Sequence, residues 1–476
     1  MRIQSGFFYL FLAALPIGFR ATLHKFTPGF DEYEAIFLYA NDLALIIFLC
    51  VCGSGILKEI RDRNFWDTRR GANIFLFAFL ALAGVSVFAA SYKLLAGYAF
   101  LRLILAVFLA LSATHVFSSA RLVRTKTFWA LSILGAAEAL LGFGQFLFQR
   151  GFGLRFLGEP FLPALLSPDF AVSAARFAPG IAKIDLWGAK LIRAYGTFPH
   201  PNILSAFLLI GLFSACYLWL TSEQVKFHSR PRFSDWARGA GWRVGKEIGL
   251  GILIFILWLG LMVTFSRTGW LLAAFFSFGL AFYFMLFADT RRAALKLFGM
   301  LISIFIIFST AFPLFVFPRA GITASEPSVS YRLAYDELAL KIIEREPFGI
   351  GIGNQLIFSV EGGLYKALGM PERWQWQPVH NIYLLAAAEI GIGGAALFVI
   401  FLFALGLRAL HKLMRRGIEI HERVSLGIAT AIFSAFLLFG LVDHFFWTLQ
   451  PGRLMFWLSI GIMLGALKAV EKRPGS

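Results

Sequence analysis

Cysteine and acidic residues are scarce in this chain, and each shortage removes a class of protein. Only Cys50, Cys52 and Cys216 occur. They sit inside apolar runs, with neither a disulfide framework nor a metal-ligand spacing, so packing explains them. Asp and Glu number 27 against 44 Lys and Arg. The glycine run GIGIG is followed by Asn354 and Gln355 rather than by Gly-Lys-Ser/Thr, which excludes a phosphate loop of the Walker type. Its backbone amides could still approach an anion. No repeat of fixed period and no low-complexity tract is found.

What the chain has in excess is apolar residues. They make up 59% of 476 residues, with a mean hydropathy of +0.74, against ~45–50% in a soluble globule. The chain is read as a membrane protein. A net charge of +17 would suggest nucleic acid if it lay on one face. The basic residues instead form short clusters between apolar runs, so the charge orients the chain and no nucleic-acid partner is expected.

Windows long enough to cross a bilayer fall at about 6–24, 32–57, 72–91, 94–118, 127–148, 202–220, 248–265, 269–287, 297–317, 380–407, 425–445 and 453–468. Nothing shows the short alternation of a membrane barrel. The expected fold is therefore one all-α polytopic domain over 1–476 with about twelve spans. Arg2 followed by GFFYLFLAALPIGF lacks a small-residue cleavage site, so the first window is expected to be an uncleaved span. The basic clusters at 58–70, 121–126, 226–246, 291–296, 408–416 and 468–473 all fall on one side of the twelve-span count. That side, with both termini, is predicted cytoplasmic.

Two long connections then face outward. Residues 149–201 mix apolar and basic side chains and are broken by Pro160, Pro163, Pro168 and Pro179, as in short helices lying in the interface. They end in RAYGTFPHPN, where Asn202 is expected to cap the next span. Residues 318–379 contain an amphipathic helix at 330–346 ended by Pro347, and Gly349, Gly351 and Gly353 should then make a flexible turn.

Polar residues gather at the outer helix ends, in RAYGTFPHPN (193–202), TFSRTGW (264–270), SYRLAYDE (330–337) and QPVHNIYLLAAAEIG (377–391). Arg267, in a tight turn between two apolar runs, either anchors at lipid headgroups or clamps a phosphate with its planar fork. Arg332 is either a solvated charge or, if the loop folds back, the second cation of a diphosphate site. His380 is either structural or a general base toward a hydroxyl, and Asn381 a helix cap. His200, between two prolines, shapes a turn or joins the site. Trp374 and Trp376 stack on sugar or mark the interface. Asp42, Arg102, Glu138 and Glu389 share a depth inside their helices, which suggests neutralising pairs such as Arg102 with Asp42 or Glu138. No acidic cluster suited to Mg²⁺ or Mn²⁺ stands on the outer side, so a transferase here would need a lipid-carried donor and neither metal nor cofactor.

GTFPHPN leading into a span, SRTGW between two spans, and PFGIGIGNQ followed by VHNIYLLAAAEIGIGG resemble the O-antigen ligase and O-antigen polymerase family, mainly over 193–400. The resemblance implies a C-type glycosyltransferase-like bundle in the bacterial inner membrane, active at its outer face. It implies an undecaprenyl diphosphate-linked glycan as donor and a lipid A core or growing glycan as acceptor, with inversion. By the same resemblance Arg267 and Arg332 hold the diphosphate and His380 assists the acceptor hydroxyl. Arg193, His200 and Asn381 are added as substrate-binding candidates. The signature also serves polymerases and protein O-oligosaccharyltransferases. A transporter or flippase of lipid-linked glycan is the alternative from another class, and would show polar elements reachable from both sides. An envelope scaffold is a third, and would leave Arg267, Arg332 and His380 uncoupled.

Overall fold

The computed structural model describes residues 2–27, 32–61, 72–162, 181–186, 189–222, 233–313 and 326–471. In chain order α1 (Arg2–Ala14) leads into a hairpin of β1 (Arg20–Lys25) and β2 (Ala35–Tyr39). Then come α2 (Ala40–Arg61), α3 (Ala72–Ala89), α4 (Lys93–Phe117) and α5 (Arg121–Phe148). A second hairpin, β3 (Lys183–Leu186) and β4 (Ala189–Ile192), precedes α6 (Pro201–Ser222), α7 (Phe233–Thr264), α8 (Arg267–Met285) and α9 (Ala288–Ala311). The outer loop holds α10 (Pro327–Arg345), α11 (Gln355–Glu361) and α12 (Leu364–Ala367). The chain closes with α13 (Ile382–Leu413), α14 (Ile420–Phe439), the short α15 (Phe445–Thr448) and α16 (Gln450–Glu471).

Each apolar window holds a helix, and the protein is an all-α multi-pass membrane protein. Among the described residues ten helices are long and apolar enough to cross a membrane, which does not confirm the expected count of about twelve. The window 6–24 fails because α1 stops at Ala14, before Pro16, and the chain turns into β1. Its 13 residues cover about 20 Å at ~1.5 Å each, short of ~30 Å of hydrocarbon. The apolar run of α3, Asn73–Ala89, stands at the lower limit of a span.

α6 is the axis of the bundle. Its apolar residues face every direction, and the whole span is buried by α5, α7, α8, α9, α14 and α16. Peripheral helices keep large side chains outward, among them Phe275, Phe282, Phe305 and Phe403, as a lipid-facing surface requires. Of the four ionisable residues at common depth, Arg102 pairs with Asp42 as expected. Glu138 instead accepts from the amide and hydroxyl of Thr197 (2.9 Å each). Glu389 accepts from the Trp447 indole (2.8 Å).

One expectation about the outer loops needs correction. Residues 163–180, with Pro163, Pro168 and Pro179, lie outside the described residues, and the described parts of 149–201 hold a helical turn at Arg155–Leu157 and the β3–β4 hairpin. The glycine turn is locked, not flexible. Helix α13 is broken at Gly391 (φ 86°, ψ 165°), which frees backbone groups on either side. Ile350 and Gly351 donate to the carbonyls of Ala388 and Glu389 (3.1 and 2.9 Å), and Ile392 donates to Pro347 (3.0 Å). A Cβ on Gly349 would stand 2.4 Å from the Gly391 nitrogen, and one on Gly351 2.4 Å from the Ala90 Cβ. PFGIGIG and EIGIGG are thus two halves of one joint, which supplies inside the bundle the partners a broken helix must find.

Candidate functional site

The amphipathic helix expected at 330–346 is α10, with Glu326 at the N-cap position, its side chain not capping, and Pro327 in the first turn. It packs on α13 through a small core of Tyr335, Leu338, Ala339 and Ile342. This contact folds the outer loop back over the helix ends. Arg332 is carried inward with it, and its Nε donates to the Val442 carbonyl (2.9 Å).

Loop 193–200 reaches the same place from below. Gln145 and Glu138 hold it by its backbone, accepting from Tyr195, Gly196 and Thr197 at 2.8 to 3.0 Å. Arg193, buried, donates to the Thr264 carbonyl (2.7 Å) and to the Asn202 Oδ1 (2.9 Å). Asn202 passes the contact on, donating to Asp443 Oδ2 (2.7 Å). Asn202 is therefore a bridge rather than the expected cap. The cap is His200, whose Nδ1 accepts from the Asn202 amide (3.1 Å) and so leaves its proton on Nε2.

These elements enclose a cavity of about 600 Å³ lined by Arg193, His200, Arg332, His380, Asp443 and His444, with Glu32, Tyr331, Tyr335, Trp374 and Gln377 around them. The volume lies within the ~300–1,000 Å³ of a ligand pocket. His380 Nδ1 is 2.8 Å from the Pro378 carbonyl, so that nitrogen is the donor and Nε2 keeps its lone pair. Its ring stacks on Tyr335 (4.9 Å, 14°) and meets His444 edge-on (4.6 Å).

Electrostatics fix the protonation states. Burial, then Arg332, pull His380 below the ordinary imidazole range, with Asp443 opposing. Burial and Arg193 push His200 down to about 3. For Asp443 burial acts upward, but the facing imidazoles and Arg332 outweigh it and hold the carboxyl below its usual range. Near neutral pH the imidazoles are thus neutral and Asp443 is a carboxylate, in a cavity that also holds the guanidinium groups of Arg193 and Arg332 and the carboxyl side chain of Glu32.

His380, Asp443 and His444 each offer a ligand atom, all within 4.8 Å of one another. This trio is where a divalent cation would find donors, although Arg332 beside it repels one. Sequence reasoning missed Asp443 and His444. The signal was present, since they are the only ionisable side chains between Arg423 and Arg453.

Two expected site residues do not line the cavity. Asn381 is the N-cap of α13, its Oδ1 accepting from the amides of Tyr383 and Leu384 (3.0 and 3.2 Å). Arg267 stands at the start of α8 and holds Glu326 in a two-pronged ion pair, 2.7 Å on each side. Gly269 in the same SRTG turn is needed for close packing, because a Cβ there would lie 2.8 Å from the Ser205 hydroxyl on α6. Glu326 and Arg332 are six residues apart on one helix, about 9 Å along its axis.

Residues 252–399 match the family model described as O-antigen ligase. Arg267, Arg332, His380 and Asn381 fall inside the matched region, while Arg193, His200, Asp443 and His444 fall outside it. No curated protein matches the chain.

Proposed function

We propose, from the match of residues 252–399 to the O-antigen ligase family model and from the helices long and apolar enough to cross a membrane, that the outer cavity of this chain transfers glycan from a polyprenyl diphosphate to an acceptor hydroxyl. The family performs glycan transfer of the ligase or polymerase type. The observation that carries the finer proposal is the meeting of Arg193, Arg332 and His380 in one cavity large enough for a diphosphate and a sugar.

Arg332, with Arg193 behind it, faces the diphosphate and neutralises the charge that grows on it as the bond to the sugar breaks. Arg267 receives a diphosphate oxygen in the fork now filled by Glu326. His380 Nε2 takes the proton of the acceptor hydroxyl. The acceptor oxygen bonds to the anomeric carbon from the face opposite the diphosphate, the electron pair of the broken bond leaves on the phosphate, and configuration inverts. Asp443 sets the register of the cavity through Asn202 and stabilises the imidazolium that His380 becomes. The basic clusters lie at the opposite helix ends, which supports an outer-face site.

His380→Ala and Arg332→Ala are expected to lower transfer at least about 100-fold, assayed with the purified protein and undecaprenyl diphosphate-linked glycan, while the variants melt like the parent. Full activity in either variant removes that residue from the mechanism.

A further inference from the structure

The stretch WQWQ sends four side chains to different surroundings. Trp376 turns inward, stacks on Tyr365 (6.1 Å, 22°) and donates its indole proton to the Met370 carbonyl (3.0 Å). Gln375 is buried, caps the turn at Arg373–Gln375 and donates to the Tyr331 hydroxyl (3.0 Å). Gln377 faces the cavity, its Oε1 accepting from Tyr33 (3.4 Å). Trp374 stands at the cavity wall, 58% exposed and edge-on to Tyr331 (6.1 Å, 85°). No described residue accepts from its indole N–H.

A large aromatic face held in water by its neighbours, beside amides, is the surface that a pyranose ring matches. Ring C–H bonds pack on the electron-rich aromatic face while hydroxyls reach the indole N–H and the Gln377 amide. The position also orders the ligand. Trp374, Tyr331, Tyr335 and His380 form a row of rings along one wall, with Tyr331 and Tyr335 stacked at 6.5 Å and Tyr335 on His380 at 4.9 Å. Trp374 is three ring steps from His380 and meets a sugar removed from the bond that is made.

We infer that Trp374, with Tyr331 and Gln377, is a platform for a non-reacting pyranose of the glycan, a subsite that rests on glycan transfer in this cavity. It gives the enzyme hold on a chain rather than on a single sugar. Either the lipid-carried donor chain or the acceptor chain supplies that ring, since both have the same chemistry.

The test measures binding to the full-length protein in detergent micelles of bare undecaprenyl diphosphate, of undecaprenyl diphosphate carrying an N-acetylglucosamine trimer, and of the free trimer. Trp374→Ala should weaken the glycosylated lipid or the free trimer about tenfold, the loss of ~1.4 kcal/mol, and leave bare undecaprenyl diphosphate unchanged. Trp374→Phe should keep most of the affinity. An effect on the lipid-linked trimer assigns the platform to the donor, and an effect on the free trimer assigns it to the acceptor. Equal weakening of bare and glycosylated lipid, or no effect on either sugar-bearing probe, overturns the platform and leaves Trp374 an interfacial anchor. If the parent protein does not bind bare undecaprenyl diphosphate and Arg332→Ala changes nothing, the diphosphate site itself fails, a result distinct from loss of the platform alone.

Discussion

Arg267 and Glu326 form one ion pair, yet removing either partner should move donor affinity in opposite directions. The carboxylate fills both prongs of the guanidinium at 2.7 Å, with side chains 15% and 25% exposed. An exposed pair contributes ~0–1 kcal/mol and a charge-assisted hydrogen bond ~1.5–3, so a two-pronged pair at partial exposure is worth about 1 kcal/mol. A diphosphate oxygen entering that fork displaces the carboxylate and loses this amount. Glu326→Gln, nearly the same shape, removes the competing charge and should tighten binding of undecaprenyl diphosphate about fivefold. Arg267→Ala removes the fork and should weaken binding at least about tenfold. Titration of the lipid into purified protein reads both, with a thermal melt alongside in which Glu326→Gln shifts by no more than about 2 °C. If the pair only holds the start of α10, the two variants will weaken binding together. That shared sign would refute the displacement.

The pH dependence of transfer follows from His380. Burial and Arg332 favour its neutral form, so the base is lost only as pH falls through a lowered pKa, and the acid limb of kcat/KM should lie below pH 6.5; a limb above that value would contradict the assignment of His380 as base. The glycine joint predicts a stability contrast between two substitutions. Gly351 has φ 97° and an added Cβ would stand 2.4 Å from the Ala90 Cβ, whereas Gly417 has φ 80° and open space. Gly351→Ala should cost about 2–5 kcal/mol, backbone strain plus overpacking, against about 1–2 for Gly417→Ala, read as the difference in melting temperature. Equal melting of the two variants would mean that the joint yields.

Much of the bundle was legible because a membrane leaves few options, and an apolar stretch of span length becomes a helix wherever it falls. The errors came where two elements share one apolar run. Residues 35–39, AIFLY, run into α2 with only Asn41 and Asp42 between them and its apolar stretch, too short a break to end the window, and the pairing of Ala35–Tyr39 with Arg20–Lys25 separates strand from helix. A pairing across sequence carries no local periodicity, so the hairpin was read as the start of a span. The glycines misled for the same reason. Alone, Gly349, Gly351 and Gly353 look like freedom, and they become a fixed joint only once Gly391, far along the chain, breaks its own helix against them. In the cavity, His380 and Arg332 stood out as polar residues in polar interruptions, whereas Asp443 and His444 were absorbed into the window 425–445.

The two ends of α10 are held by different physics, and this decides which residue can respond to ligand. Its C-terminal end runs into Pro347–Gly351, sewn to the break in α13 by three backbone hydrogen bonds. No anion competes for those bonds, because they join an amide to a carbonyl inside the fold. Its N-terminal end is held to Arg267 through Glu326, a contact that any phosphate competes for. Arg332 lies between them, nearer the exchangeable end, with Nε on the Val442 carbonyl next to Asp443. In the proposed mechanism, a diphosphate that takes the Arg267 fork releases the end of α10 that carries Arg332, while the end fixed to α13 keeps the rest of the helix in place. The expected order is then phosphate exchange at Arg267 before engagement of Arg332, and Glu326→Gln should remove the first step without altering the second.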